Sequence, residues 1–332
     1  MKHIFLSFAA LTAILCTSCN KENEGIPTAP NSSDTEAVSL SLTLSTDDTQ
    51  TRAFFDNSTS LEAWEKQLTQ TTILAVDVQS GAILARRDLT SSELQSGQAT
   101  LSSPNLIEGE YVVVVAIANI DVPQDFTNFW NLTTLISDYS IIENNGTFAE
   151  VAYGSKRDDG FIMTADAGIT LAAENNNCNL TLKSDVAKVA MKLSISDKFN
   201  DTYAGSLKVN SVTVSDTPMK INDDGTTMTH TQTSVLSGTQ YQNLFYVLRS
   251  TPTFTINATY DGDGNFATTS DQRDVTYTLV LETDYGTPLT LTAHSYYRIT
   301  GIINGLDDDA ASTNITFTVS DWGSTNNFDV EV

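Results

Sequence analysis

The residues best suited to chemistry in this chain are its few cysteines and histidines. Cys16 and Cys19 end an apolar run near the start of the chain, and Cys178 follows much later. His230 and His294, the histidines beyond the N-terminal segment, are far apart in sequence. A Ser or Cys nucleophile needs a histidine beside it, and zinc sites need clustered ligands. We therefore expect no enzyme, and no catalytic, cofactor-binding or metal-binding residues.

The segment Asp261-Gly-Asp-Gly-Asn265 resembles the start of a calcium-binding loop. Such a loop requires Gly at its sixth position and Glu at its twelfth. Phe266 and Gln272 occupy those positions here. We interpret the segment as an acidic hairpin turn and expect no calcium.

Cys19 is expected to be modified by lipid. Lys2 precedes the apolar run 4–16, which has the pattern of an export signal and is too short to span a bilayer. Cys16-Thr17-Ser18-Cys19 resembles a bacterial lipoprotein box, in which the cysteine is lipidated and becomes the new N-terminus. Lipidation of Cys16 and an ordinary signal peptide cleaved near Ser18 are the alternatives. We assign residues 1–19 to the signal and the polar residues after Cys19 to a tether.

A strictly alternating segment lies just beyond this tether. Its apolar residues are Val38, Leu40, Leu42 and Leu44, and serine and threonine occupy the positions between them. Such alternation predicts a strand with one buried face. A polar stretch leads from it to the lone basic residue Arg52. The residues alone allow two interpretations: a first strand that a protease can cut away, or an ordinary strand and an ordinary exposed arginine.

The rest of the chain predicts an all-β protein with short helices. It has 332 residues, 40% of them hydrophobic, and is rich in Thr, Ser and Asn. Regular strand and turn spacing favours two β-sandwiches, with a boundary near 175–185. Predicted strands are 72–78, 82–86, 99–101, 111–118, 161–165, 169–172, 189–195, 207–214, 243–248, 253–260, 275–282, 289–293, 296–303, 315–319 and 328–332.

Three finer predictions concern particular segments. The continuous apolar run 111–118 is typical of a strand buried on both faces. Thr59 and Glu62 could cap a short helix, and 126–139 has helical spacing. Asn175, Asn176 and Asn177 form a turn-rich break.

Charge argues against nucleic acid as a partner. The formal net charge is -24, from 41 acidic and 17 basic residues. Binding to phosphates requires a basic face, which this balance does not favour.

The end of the chain repeats the alternating pattern of its beginning. Phe328, Val330 and Val332 alternate with acidic residues. The chain therefore carries an amphipathic strand near each end.

Several segments together resemble the major fimbrial subunits, or fimbrillins, of Bacteroidetes. They are 18–24, 38–45 followed by Thr51-Arg52-Ala53-Phe54, 161–165, 186–191, 296–299 and Val319-Ser320-Asp321-Trp322. Each motif is weak alone, but their order and spacing cover nearly the whole chain.

The resemblance implies a fold and an assembly mechanism. The fold would be two transthyretin-like β-sandwich domains, at 53–180 and 181–332, after a propeptide at 20–52. The chain would be exported as an outer-membrane lipoprotein and cut between Arg52 and Ala53 by an arginine-specific protease. The released subunits would polymerise by donor-strand exchange into a cell-surface fimbria, together with other fimbrial subunits. The donor would be the C-terminal segment containing Phe328, Val330 and Val332.

Two other functions compete with a shaft subunit. One is an accessory, tip or anchor subunit of the same assembly, and an anchor would stay lipidated and uncut. The other is a stand-alone surface lipoprotein that binds glycan or host protein through Trp64, Trp130 or Trp322. Apolar neighbours favour core positions for these tryptophans.

Overall fold

The computed structural model describes most of the chain beyond the tether. The described residues are 37–46, 63–131, 146–147, 160–184, 186–218, 227–282, 287–306, 315–321 and 327–331. The expected modification at Cys19, the expected cut between Arg52 and Ala53, and Val332 and Trp322 lie outside these ranges.

The described residues are mostly strands. These are β1 (Ala37–Thr46), β2 (Thr71–Asp77), β3 (Ile83–Asp88), β4 (Gln98–Ile107), β5 (Tyr111–Ala118), β6 (Gly146–Thr147), β7 (Met163–Thr170), β8 (Asn176–Ser184), β9 (Val186–Ile195), β10 (Ser206–Pro218), β11 (Thr227–Thr233), β12 (Val235–Ser237), β13 (Gln240–Leu248), β14 (Thr253–Asp261), β15 (Gln272–Val280), β16 (Tyr296–Ile303), β17 (Ile315–Asp321) and β18 (Asn327–Glu331). Short α-helices span Ser91–Ser96 and Asp197–Thr202, and 3₁₀ turns span Ala63–Lys66 and Phe129–Asn131.

The first sandwich is one seven-stranded sheet that folds over its own core. The strand order is β3-β2-β5-β7-β8-β1-β4. β7 and β8 pair at only two positions, beginning with Met163 and Ser184, which leaves the two arms of the sheet free to face each other. The outermost strands of the two arms, β3 and β4, are also in contact. Ser103 Oγ on β4 donates to the carbonyl of Leu84 on β3 at 2.7 Å.

The two arms bury a shared apolar core. Leu40 and Leu101 from one arm pack with Ile73, Val112 and Val114 from the other in one buried cluster. Alternating side chains of paired strands share a face, so each strand contributes every second residue. The core of this sandwich therefore includes the first strand of the described chain.

β5 is buried on both of its faces, as the sequence predicts. Val113, Val115 and Ile117 point away from the main core into a second apolar cluster. Val122 and Phe126, from the chain that follows β5, cover that cluster. The continuous apolar run therefore reflects two buried faces.

The second sandwich has two separate sheets. Their strand orders are β15-β14-β10-β11-β6 and β12-β13-β9-β16-β17-β18. Val189 and Ile299 of one sheet pack against Val212 and Phe254 of the other. Strand pairing changes from the first sandwich to the second after Ser184, so residues 181–184 belong with the first.

Some local predictions were wrong for identifiable reasons. β11 was not predicted because its buried residues, His230 and Gln232, are polar. Gln232 exchanges two hydrogen bonds with the backbone of Leu244, donating at 2.8 Å and accepting at 2.7 Å. This pairing satisfies a buried amide without any apolar pattern in the sequence.

Segment 289–293, predicted as a strand, forms only an isolated bridge. Leu289 N donates to the carbonyl of Leu281 and Leu291 N to that of Ser250, each at 2.7 Å. The segment therefore crosses from one sheet of the second sandwich to the other.

The asparagine break and the two predicted helices were also only partly right. Asn175 has a left-handed φ of 63°, but Asn176 and Asn177 already lie in β8. Of the two predicted helices, the described residues contain only the 3₁₀ turns Ala63–Lys66 and Phe129–Asn131.

Candidate functional site

β1 lies inside its sheet, between two neighbours. It runs parallel to β8, with Leu40 opposite Asn176 and Thr46 opposite Leu182. It runs antiparallel to β4, with Leu40 opposite Leu101. An interior strand satisfies the backbone groups of both neighbours as well as its own. Its removal would leave a gap between β8 and β4, lined by unpaired backbone on each side.

The four apolar side chains of β1 face the core. Val38, Leu40, Leu42 and Leu44 are exposed by 6%, 0%, 1% and 9%. The serine and threonine residues between them face outward. Burying four such side chains stabilises the fold by roughly 6–12 kcal/mol, at about 1.5–3 kcal/mol each. That is comparable to the whole net stability of a typical domain, about 5–15 kcal/mol.

β4 depends on β1 for its place in the sheet. It is the terminal strand in the order, and β1 is its neighbour there. The helix Ser91–Ser96 before it ends at Gly97, whose carbonyl accepts a hydrogen bond from Leu44 N at 2.8 Å. Gly97 has φ +65°, and a Cβ there would lie 2.7 Å from the carbonyl oxygen of Leu44. The close approach of β1 therefore requires glycine at this position.

Cys178 lies beside β1, on the neighbouring strand β8. It stands opposite Leu42 on β8 and is 3% exposed. Burial raises the pKa of its thiol above the ordinary value. A protonated, covered thiol is unreactive, so the structure places Cys178 as a core residue.

The last described strand, β18, occupies a contrasting position. It pairs antiparallel with β17, with Phe328 opposite Val319 and Val330 opposite Phe317. It ends the strand order of its sheet. Within the described chain it therefore pairs with β17 alone. Its other edge can accept another strand, and its loss would break one ladder only.

A buried ion pair joins the two sandwiches near the end of β1. Lys188 Nζ lies 2.6 Å from Glu65 Oε1, and the two side chains are 9% and 4% exposed. Tyr246 donates its hydroxyl to the same carboxylate oxygen at 2.6 Å. Sequence reasoning missed this cluster, although the one lysine inside the apolar run 186–191 was a usable signal.

The acidic turn at Asp261 closes the β14–β15 hairpin, as interpreted from the sequence. Asp261, Asp263 and Asp271 approach within 4.8 Å of one another through their carboxylate oxygens. These oxygens accept hydrogen bonds from within the loop, from Asn265 N and Gln272 Nε2 to Asp261 and from Asp263 N to Asp271. The turn is therefore stabilised by its own donors.

His230, His294 and Trp130 lie on separate elements. His230 is buried on β11, whereas His294 lines a cavity near Lys188. The ring of Trp130 is 54% exposed, so the expectation that it is a core residue was wrong. Its edge-to-face neighbour is Phe129, with 5.9 Å between ring centroids. None of the helices within the described ranges has the length and apolar character needed to cross a membrane.

Comparison with known proteins identifies the fold. No family model matches the chain, and no curated protein matches it. A fimbrilin (FimA) from Porphyromonas gingivalis is similar in structure, with a TM-score of 0.54 and 11% identity over 85% of this chain and 96% of that one. The tip fimbrial protein Mfa3 from the same organism gives 0.50 and 12%, over 86% and 99%. A fimbrial assembly protein from Parabacteroides distasonis gives 0.50 and 13%, over 89% and 99%.

The chain therefore has the all-β fold of Bacteroidetes fimbrial subunits. The fold predicted from strand spacing and from the resemblance is confirmed. At these identities the likeness concerns the fold, and the role of the chain has to be argued from its own residues.

Proposed function

We propose that this protein is the shaft subunit of a cell-surface fimbria. One observation carries the proposal: the first described strand is an interior strand of its sheet, with four buried apolar side chains and two pairing partners. A strand at the end of a chain can be removed by a single cut downstream of it. The cut is proposed between Arg52 and Ala53, in the polar stretch that follows β1.

Removal of β1 would convert a stable monomer into one with an open groove. The groove would expose the apolar side chains beneath β1 and unpaired backbone on β8 and β4. A strand from a second subunit can restore both, which is β-strand addition. Because the donor and the groove lie on different parts of the subunit, repeated exchange builds an open filament.

The proposed donor is the C-terminal segment. β18 lies at the edge of its sheet, where it exchanges hydrogen bonds with β17. Phe328, Val330 and Val332 alternate as the apolar residues of β1 do. Three such side chains would contribute roughly 5–9 kcal/mol in the groove, compared with four in β1.

The earlier steps of maturation complete the proposal. Export as a lipoprotein anchored through Cys19 would hold the precursor at the outer membrane until an arginine-specific protease releases it. The cut subunit would then join copies of itself and other fimbrial subunits. The plug strand keeps the precursor monomeric during this period.

Cleavage and assembly can be tested together on residues 20–332. We expect an arginine-specific protease to produce a chain that begins at Ala53 and forms a ladder of oligomers. A chain with Arg52→Lys should stay uncut at this site and monomeric. Resistance at Arg52, or a cut monomer that never assembles, would contradict the shaft assignment.

A tip subunit is the second candidate, since the tip protein Mfa3 shares the fold. A tip subunit has its groove or its donor engaged with one neighbour only. Purified cut protein would then form capped complexes with a shaft subunit and no homopolymer. The same electrophoretic ladder therefore separates the two roles.

A further inference from the structure

The covalent connection between the two sandwiches is short. β8 of the first sandwich ends at Ser184, and β9 of the second begins at Val186. One residue position separates two strands of different sheets. Such a connection can act as a hinge unless other contacts fix the angle between the two bodies.

The Glu65–Lys188–Tyr246 cluster lies directly beside this connection. Lys188 is on β9, and Tyr246 stands opposite it on β13. Tyr296 stands opposite Lys188 on the other side, on β16. The ammonium group of Lys188 lies 5.9 Å from the ring centroid of Tyr246 and 5.2 Å from that of Tyr296.

This row of three residues is on the outer face of the second sandwich. The neighbouring Val189 and Val247 point the opposite way, into the core. The outer face is nevertheless buried at Lys188, because residues of the first sandwich cover it. Glu65 supplies the carboxylate, and the ring of Phe161 packs on Tyr246 with 5.0 Å between centroids.

A buried ion pair between the two sandwiches is sensitive to their relative orientation. Both charges have lost their water, so their attraction must be realised at close range. A rotation at the connection would separate Lys188 from Glu65 and leave two desolvated charges. The pair therefore favours one relative orientation over all others.

The end of β1 is part of the same region. A cavity of about 60 Å³ is lined by Glu65, Lys188 and Tyr246 together with Thr46, the last residue of β1. Met163 and Leu182 also line it, and both belong to the core that β1 covers. Removing β1 would take Thr46 out of the lining and widen the opening beside the ion pair.

We propose that the Glu65–Lys188–Tyr246 cluster is a latch that fixes the angle between the two sandwiches, and that the latch depends on a filled groove. The inference rests on the proposed removal of β1. Cleavage then has two effects, since it opens the groove and frees the subunit to bend near Ser184. An incoming donor strand restores the lining and fixes the angle again within the filament.

The test measures the distance between the two sandwiches in a chain of residues 20–332. Spin labels are placed through Glu108→Cys and Thr278→Cys, two exposed positions, in a Cys178→Ala background. Residues 47–52 are replaced by the recognition sequence of a different site-specific protease. Strand removal then no longer depends on Arg52 being the natural cleavage site.

In the uncut chain we expect a single narrow distance distribution, and a broad one after Glu65→Gln. The double variant Glu65→Gln/Lys188→Met leaves no unpaired buried charge, so it should fold and also give a broad distribution. Arg87→Ala, which removes the exposed arginine of an ion pair with Glu93, is the control and should stay narrow. A narrow distribution in the double variant would overturn the latch.

The dependence on the groove is tested after cutting and stripping of β1. The distribution should broaden, and a synthetic peptide of residues 37–46 should narrow it again. A distribution that stays narrow without β1, or a cut strand that cannot be removed, would overturn this dependence. If the unmodified chain resists cleavage at Arg52, the shaft proposal fails while these measurements still decide the latch.

Discussion

The two end strands of the chain are alike in sequence but differ in position. Among the described strands, β1 is an interior strand with two neighbours, whereas β18 is an edge strand with one. An interior strand is costly to remove, because its loss leaves both neighbours unpaired. An edge strand can detach at the expense of a single ladder. This difference indicates that β1 would need an irreversible cut to be released, whereas β18 could leave its sheet and return by reversible exchange.

Deleting each strand in turn is the largest perturbation of this comparison. Loss of 37–46 removes roughly 6–12 kcal/mol of apolar burial, so we expect a large fall in the free energy of unfolding of the first sandwich. Loss of 328–332 should leave an uncut precursor that folds but does not polymerise after cleavage. Urea unfolding and electron microscopy measure the two outcomes. A truncated chain that still forms filaments would place the donor elsewhere.

The ion pair beside the end of β1 has the next largest effect. Lys188→Met removes the cation that pairs with the buried Glu65 carboxylate, and we expect about 3–5 kcal/mol of destabilisation. Arg87→Ala removes a pair whose arginine side chain is 45% exposed, and we expect about 0–1 kcal/mol. Urea unfolding of both variants gives the values. Equal losses would show that the buried pair has no special role.

Single substitutions separate the two faces of β1. Leu42→Ala leaves a cavity beside Cys178 and should cost about 2–5 kcal/mol in the free energy of unfolding. Thr43→Ala changes an outward residue of the same strand and should cost about 0.5 kcal/mol or less. Thermal denaturation of the uncut chain provides the comparison. Similar costs at the two positions would contradict the burial of β1.

A smaller effect concerns the helix that precedes β4, the neighbour of β1. Thr90 and Glu93 form a reciprocal cap, and the backbone and side-chain hydrogen bonds of Thr90 lower the pKa of Glu93 from 4.5 to about 2. The folded pKa is below the unfolded one, so this stabilisation is present above pH 4.5 and is lost as the pH falls towards 2.

The pH dependence of the melting temperature tests the cap. As the pH falls from 4.5 to 2, the melting temperature of the Glu93→Gln variant should fall less steeply than that of the parent chain. Glu108→Gln, which alters an exposed carboxylate in the same sandwich, is the control. Parallel slopes for Glu93→Gln and the parent would argue against the cap.

The sequence predicted those parts of the fold in which pattern and burial agree. Strict alternation placed β1, and the apolar run 111–118 gave β5 with its actual bounds. The Thr90–Glu93 cap has the same spacing as Thr59 and Glu62, for which the sequence analysis predicted a helix cap. Local signals of this kind recur along a chain, and context decides among them.

Contacts between distant segments were beyond reach of the sequence. The interior position of β1 depends on β4 and β8, which come from well separated parts of the chain. The partner of Lys188 is Glu65, in a 3₁₀ turn where the sequence predicted a short helix. Periodicity describes each segment by itself and does not say which distant segments pair. It therefore predicts neither the neighbours of β1 nor the partner of Lys188.

The central claim, that β1 is a removable plug, can be tested most directly at Cys178. Residues 20–332 contain no other cysteine, and this buried thiol lies beside Leu42, on the strand next to β1. We predict slow reaction with a small thiol reagent in the uncut chain. Reaction should be fast after cleavage and loss of β1, and slow again in assembled filaments. A thiol equally protected in all three states, or one that stays reactive within filaments, would contradict the account.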